Sequence, residues 1–88
     1  MTIEMSQYYR GYTYQKILES AENGASESKI RSDAHLTYIE VDKYLHKMIE
    51  NDLIGYDTPT RIYKTTRHGE DFLKTIKEVG YFLSFAEK

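Results

Sequence analysis

The sequence predicts a mainly α fold with one small β-hairpin, an α+β arrangement ending in a long C-terminal helix. Three features of the chain point to it. Apolar residues recur at helical intervals from Arg10 onward. A capping box stands at Thr37-Tyr38-Ile39-Glu40. Between Ile54 and Thr65 the helical period gives way to two short runs of β-branched and aromatic residues around the single proline.

Residues 1 to 9 show no usable periodicity and read as a flexible arm or short added element. From Arg10, the residues Tyr14, Ile17, Leu18 and Ala21 share one face of a first helix, which Asn23-Gly24 stops. A second helix fits Ser26 to Ala34. Ser26 is its N-cap, Glu27 sits in the first turn, and Ile30 and Ala34 point inward. In the capping box, the Thr37 hydroxyl accepts from the Glu40 amide while the Glu40 carboxylate accepts from the Thr37 amide, and Leu36 and Val41 form the hydrophobic staple. A third helix therefore starts at Tyr38 and turns Val41, Tyr44, Leu45 and Met48 inward. Ile54 to Asp57 and Arg61 to Thr65 read as strands about a three-residue turn, Thr58-Pro59-Thr60. Thr66 caps the last helix, with Glu70 and Asp71 near its positive end.

A short helix, a tight His35-Leu36 link and a well-capped helix make a helix-turn-helix, and the hairpin after it supplies a wing. The predicted organisation is an arm over residues 1–9, a winged helix-turn-helix domain over 10–65 and a dimerisation helix over 66–88.

Composition narrows the function. A chain of 88 residues holds one core. The absence of cysteine excludes a disulfide framework, a thiolate metal site and a cysteine nucleophile, and points to a reducing, cytoplasmic setting. The start, Met1 to Met5, has neither a basic lead nor an apolar run, and the stretch Val79 to Ala86 is too short to span a bilayer. Twelve basic against fourteen acidic residues give −2, whereas nucleic-acid binders more often carry a basic excess. DNA binding therefore requires folding to sort charge by face. Nine tyrosines without a tryptophan suit a small core with a wet rim, or an interface.

Two constellations carry function. The outward stripe of the third helix is Ile39, Lys43, His46 and Glu50, flanked by Tyr38, Asp42 and Lys47. In a major groove, Lys43 can donate to guanine, His46 can donate or accept, Tyr38 or Ile39 can touch a thymine methyl, and Asp42 can accept from cytosine. Lys47, Lys29, Arg31, Arg61, Lys64 and Arg67 are the candidate phosphate contacts. The alternative for the stripe is an ordinary solvated face of mixed charge. The second constellation is the seam Gly69, Phe72, Ile76, Val79, Leu83 and Ala86, spaced 3-4-3-4-3 and broadened by Leu73 and Phe82. Its length predicts a dimer through Phe72, Ile76, Val79, Phe82, Leu83 and Ala86; the alternative is a seam folded back over the first helix.

No enzyme reading stands up. His46 and Glu50 offer two ligands where a zinc site needs three or four, and there is neither a phosphate loop nor a nucleophile set. No metal, cofactor or small-molecule substrate is expected.

The order of these motifs resembles the small archaeal winged-helix DNA-binding proteins, predicted transcription regulators that dimerise through a C-terminal antiparallel coiled coil. The likeness runs from about Arg10 to Ala86. Its marks are Ile17-Leu18, the run from Lys29-Ile30-Arg31 to Ala34-His35-Leu36-Thr37-Tyr38, Tyr44-Leu45 with Met48 and Leu53-Ile54, and Tyr63 to Gly69 with Phe72-Leu73. The resemblance implies a homodimer on double-stranded DNA, with Lys43, Lys47 and Arg61 facing the duplex. The chain departs from that pattern in three places. Asn51-Asp52 replaces the usual glycine, so a non-glycine residue must take a left-handed cap. The N-terminal segment has no basic residue before Arg10, and the wing tip is short and uncharged. The competing reading is a winged helix that binds protein and not DNA, in keeping with the −2 charge and with Asp42 and Glu50 beside the reading face.

Overall fold

Local chemistry sets each boundary in the computed structural model of the chain, which describes the backbone of residues 2–86 and the side chains of residues 11–78. In chain order lie α1 (Thr2–Ser20), α2 (Glu27–Ala34), α3 (Tyr38–Glu50), β1 (Ile54–Asp57), β2 (Ile62–Thr65) and α4 (Arg67–Ala86). α1 begins at Thr2, not near residue 10, so residues 2 to 9 continue the first helix where the sequence suggested an arm. Glu4, Met5 and Gln7 are good helix formers with no one-sided apolar stripe, so propensity extends the helix without leaving a periodic trace.

The helix-turn-helix is held by its caps. The Ser26 hydroxyl accepts from the Lys29 amide at 3.2 Å. At the far end of α2, His35 adopts the left-handed conformation at φ 56°, and the amides of His35 and Leu36 donate to the carbonyls of Ser32 and Arg31. The capping box forms as predicted, with Glu40 N to Thr37 Oγ1 at 3.1 Å and Thr37 N to Glu40 Oε1 at 2.9 Å. After α3 it is Asp52 that takes the left-handed cap, at φ 59°.

β1 and β2 pair antiparallel, with Ile54 opposite Thr65 and Asp57 opposite Ile62. The turn is one residue longer than predicted. Arg61 leaves the strand for a left-handed position at φ 60°, and its amide donates to the Asp57 carbonyl at 2.7 Å. The Asp57 carboxylate accepts from the Thr60 amide and hydroxyl, which closes the turn.

The hairpin is fastened at its base. Tyr63 exchanges two backbone hydrogen bonds of 2.8 Å with Ala25, between α1 and α2. Thr65 is buried; its amide donates to Ala21 and its hydroxyl to the Leu18 carbonyl at 2.8 Å. The Thr66 hydroxyl donates to the Asp52 carbonyl and accepts from the Gly69 amide, capping α4. At Gly69 the backbones meet so closely that a Cβ would lie 2.0 Å from the Leu53 carbonyl oxygen.

Ile17, Leu18, Ile30, Val41, Met48 and Ile54 form the sealed centre of the core, joined by Leu45, Leu53 and Leu73. α4 turns Gly69, Leu73 and Ile76 inward, and Lys77 pairs with Glu19 of α1 at 3.3 Å. Gly69 and Ile76 are members of the predicted seam and Leu73 its flank, and these three pack on the chain's own core. Ile76 packs on its own core and Phe72, 37% exposed, lies at the edge against Tyr14, with ring centroids 5.9 Å apart. To this extent the seam folds over α1. The other predicted dimer residues, Val79, Phe82, Leu83 and Ala86, lie outside the residues whose side chains are described.

Gly69→Ala should lower stability by at least about 2 kcal/mol, read from the urea midpoint, because carbonyl backbone cannot yield to a methyl group. His35→Gly should raise stability by about 1 kcal/mol by removing the left-handed penalty. A pH dependence is also built in. Hydrogen bonds from Lys29 and Ser20 hold the Asp33 carboxyl below its ordinary value. The stability this contributes is complete above the unfolded carboxyl's range, about pH 4, and is lost as pH falls through the lower folded value. Thermal melts between pH 6 and 2 should show a weaker acid dependence in Asp33→Asn than in the parent chain.

Candidate nucleic-acid interface

With Val41, Leu45 and Met48 buried, the 3.6-residue period of α3 leaves Tyr38, Ile39, Asp42, Lys43, His46 and Lys47 in solvent. Tyr38 and Ile39 are each 68% exposed at the N-terminal turn, the part of a reading helix nearest base edges. The capped helix end holds Ile39 in water, while Tyr38 meets the Arg31 guanidinium of α2, 5.8 Å over its ring. Ile39 and Tyr38 are both available for contact.

Lys43 and Lys47 have no ion pair among the described residues. His46 is more constrained. Its Nδ1 lies 2.9 Å from the Asp42 carbonyl and 3.5 Å from the Asp42 carboxylate. A carbonyl only accepts, so Nδ1 carries the proton, and in the neutral ring Nε2 faces outward as an acceptor. Glu40 is occupied by its cap and Asp42 by His46, which leaves Glu50 as the carboxylate of this stripe without an ion pair among the described residues.

The basic residues of α2 are arranged differently. Lys29 pairs with Asp33 at 2.7 Å, and Arg31 pairs with Glu27 at 3.1 Å while lying 5.8 Å over the Tyr38 ring. Neither is a free cation. Exposed pairs of this kind are worth about 1 kcal/mol or less, so phosphate can compete for them at a small loss. The hairpin and its exit carry Arg61 at the turn, Lys64 on β2 and Arg67 at the first position of α4. All three are exposed and without an ion pair among the described residues.

Sequence reasoning missed the residues between the helix and the wing. Tyr56 and Tyr63 stack at 4.5 Å between centroids and, with Tyr38, Asp42, Glu27 and Arg61, border an open cleft. Alternation places Tyr56 and Tyr63 on arms of one hairpin; only the register sets them opposite each other. The i, i+4 spacing of Glu27 with Arg31 and of Lys29 with Asp33 was a readable signal for internal pairing.

Among the described residues no three His, Asp or Glu side chains gather where a metal could bind, and no helix is long and apolar enough to cross a membrane. A search of curated proteins finds no match to the chain. A family model described as Winged helix-turn-helix does match, over residues 12–83, which takes in most of α1, both helices of the turn, the hairpin and most of α4. With capped α2 and α3, the hairpin wing behind them and that match over most of its length, the chain belongs to the winged helix-turn-helix family.

Proposed function

We propose that the chain is a sequence-specific, double-stranded DNA-binding transcription regulator that acts as a cytoplasmic homodimer. Membership of the winged helix-turn-helix family supports DNA binding. The observation that carries the finer reading is the solvent-held N-terminal half of α3, where Tyr38, Ile39, Lys43 and His46 stand clear of the core. Lys43 donates to a guanine edge. With Nδ1 held at the Asp42 carbonyl, the outward Nε2 of His46 is the atom that meets a base edge. Tyr38 and Ile39 supply apolar contact to thymine methyls, while Asp42, bound to His46, orients that ring. Lys47, Arg61, Lys64 and Arg67 contact phosphates, and Lys29 and Arg31 join them by exchanging their carboxylate partners. Dimerisation through the distal part of α4, as in the archaeal proteins the sequence resembles, would set the spacing of two half-sites.

A second reading is a winged helix that binds a protein instead. It is favoured by two observations: both basic residues of α2 are paired internally, and the net charge is −2.

Anisotropy titrations against random and selected duplexes separate the two. DNA binding should weaken linearly with log salt. Lys43→Ala should change preference at one base position by about 1–3 kcal/mol, whereas Arg61→Ala should weaken all sequences alike and reduce the salt slope by about 1. Absence of binding to any duplex at about 50 mM salt sinks the DNA reading and favours the protein module. Light scattering tests the dimer: a particle of 10.4 kDa at tens of micromolar refutes it, and Leu83→Asp should convert a dimer to that monomer.

A further inference from the structure

Of the three histidines, His46 alone has a ring nitrogen in a hydrogen bond among the described residues. It lies on the outward stripe of α3, one turn beyond Asp42 and Lys43, with its side chain 77% exposed. Its Nδ1 is held 2.9 Å from the main-chain carbonyl of Asp42, with the Asp42 carboxylate 3.5 Å away. A carbonyl and a carboxylate both accept, so Nδ1 keeps its proton whether the ring is neutral or charged. The second proton is therefore gained or lost at Nε2 alone. Because the anchor is the same in both states, the ring keeps its direction, and only the hydrogen-bonding sense of its outward atom changes. The other polar groups of the stripe are ammonium groups, which only donate, and carboxylates, which as anions only accept. Imidazole is the side chain that changes charge between about pH 5 and 8.

We propose that His46 is a specificity-determining residue whose base preference follows its protonation: neutral, Nε2 accepts from the amino group of cytosine or adenine, and protonated, it donates to O6 or N7 of guanine. This rests on the DNA-binding reading above and assigns the regulation of that same face. A G·C pair gives the sharpest contrast, since in the major groove cytosine presents only a donor and guanine only acceptors. The state of Nε2 that suits one base faces a like group on the other. As pH falls, the preference at that base pair turns from cytosine to guanine. Lys43, one turn earlier, cannot turn in this way, because an ammonium group has no acceptor atom. The charged groups within one turn of His46 are Asp42, Lys43, Lys47 and Glu50, all on α3, and among the described residues no group of another element pairs with it. The charge added to the ring strengthens attraction to phosphate on every sequence alike. A ratio of affinities at one position removes that common part.

The test uses the full chain and a pool of randomised duplexes, from which binders are selected at about pH 8 and again at about pH 5.5. The selected duplexes and their single C·G to G·C reversals are then titrated by anisotropy at both pH values. One position should change from cytosine or adenine to guanine, and the cytosine-to-guanine affinity ratio there should fall by about tenfold between the two conditions. His46→Gln, whose amide holds a donor and an acceptor at every pH, should bind with a ratio that does not move. A constant ratio in the parent chain overturns the proposal while leaving the DNA reading intact, and so does a ratio that moves equally in His46→Gln. Failure to bind any duplex overturns both together. The anchor is also read without DNA, from nitrogen NMR of the free chain at alkaline pH. His46 should be the Nδ1–H tautomer, and an Nε2–H tautomer overturns the proposal whatever the duplexes show.

Discussion

The winged arrangement depends on the contact at Gly69, where α4 begins against the base of the hairpin. Backbone there lies closer than any side chain permits, since a Cβ would meet the Leu53 carbonyl oxygen at 2.0 Å and the Thr65 methyl at 2.8 Å. Around it, four hydrogen bonds converge: Thr65 to Leu18 and Ala21, and Thr66 to Leu53 and Asp52. These bonds join the end of α1, the exit of α3, the closing strand and the start of α4 at one point. Buried backbone groups left unpaired cost about 1–3 kcal/mol each, so the four elements shift together or not at all. The wing thus holds its place beside α3 although its two strands share only four residue pairs.

The other half of the geometry is fixed by caps. His35 and Thr37 enclose a turn whose backbone groups are satisfied within α2 and α3 themselves, which leaves the outward face of α3 free of structural duties. That division explains why Tyr38 and Ile39 can stand 68% exposed in so small a protein. The helix is stabilised by Val41, Tyr44, Leu45 and Met48 on one side and by its capping box at the end, so Ile39, Lys43 and Lys47 on the other side are not needed for the core. The same division leaves a gap between α3 and the hairpin. Ala25 and Tyr63 bring the backbones of the loop and wing together, and the space beside them is bordered by rings instead of being filled by aliphatic side chains.

How far the sequence could be read follows from the range of each interaction. The capping box, N-caps, helix stops and strand arms are set by residues three to five apart, and so Ser26, Thr37, Thr66, Val41, Leu45 and Met48 play the parts their spacing indicates. The left-handed cap after α3 was narrowed to Asn51 or Asp52; the carbonyl of Asp52 receives the Thr66 hydroxyl, and it is Asp52 that turns. Where partners are distant, the pattern was silent. The Ala25 to Tyr63 bridge spans 38 residues, and nothing near either residue encodes it. Arg61 was misplaced for a subtler reason: its neighbours alternate like a strand, but Asp57 captures Thr60 and pulls the turn one residue further. In α4, a 3-4 heptad count and the true inward face diverge by one position, so Leu73 and not Phe72 reaches the core. Of the candidate site, the exposed stripe of α3 was legible and the cleft was not, because the latter exists only once the wing is folded against the helix.

The net charge illustrates the same point about scale. A total of −2 describes a chain, whereas a partner meets a surface. Folding pairs Lys29 with Asp33, Arg31 with Glu27 and Lys77 with Glu19, removing three cations and three anions together and leaving the sum unchanged. What changes is position. Among the described residues, Lys43 and Lys47 stay unpaired on α3, Arg61 and Lys64 on the hairpin and Arg67 at the start of α4, while Glu40 and Asp42 are drawn into a cap and a histidine contact. The Debye length is about 8 Å at physiological salt, so a charged partner responds to these local groups and not to the total. A surface that keeps single cations on the reading helix, the hairpin and the start of α4, among carboxylates committed to pairs and caps, can discriminate between partners in a way that a uniformly basic face cannot.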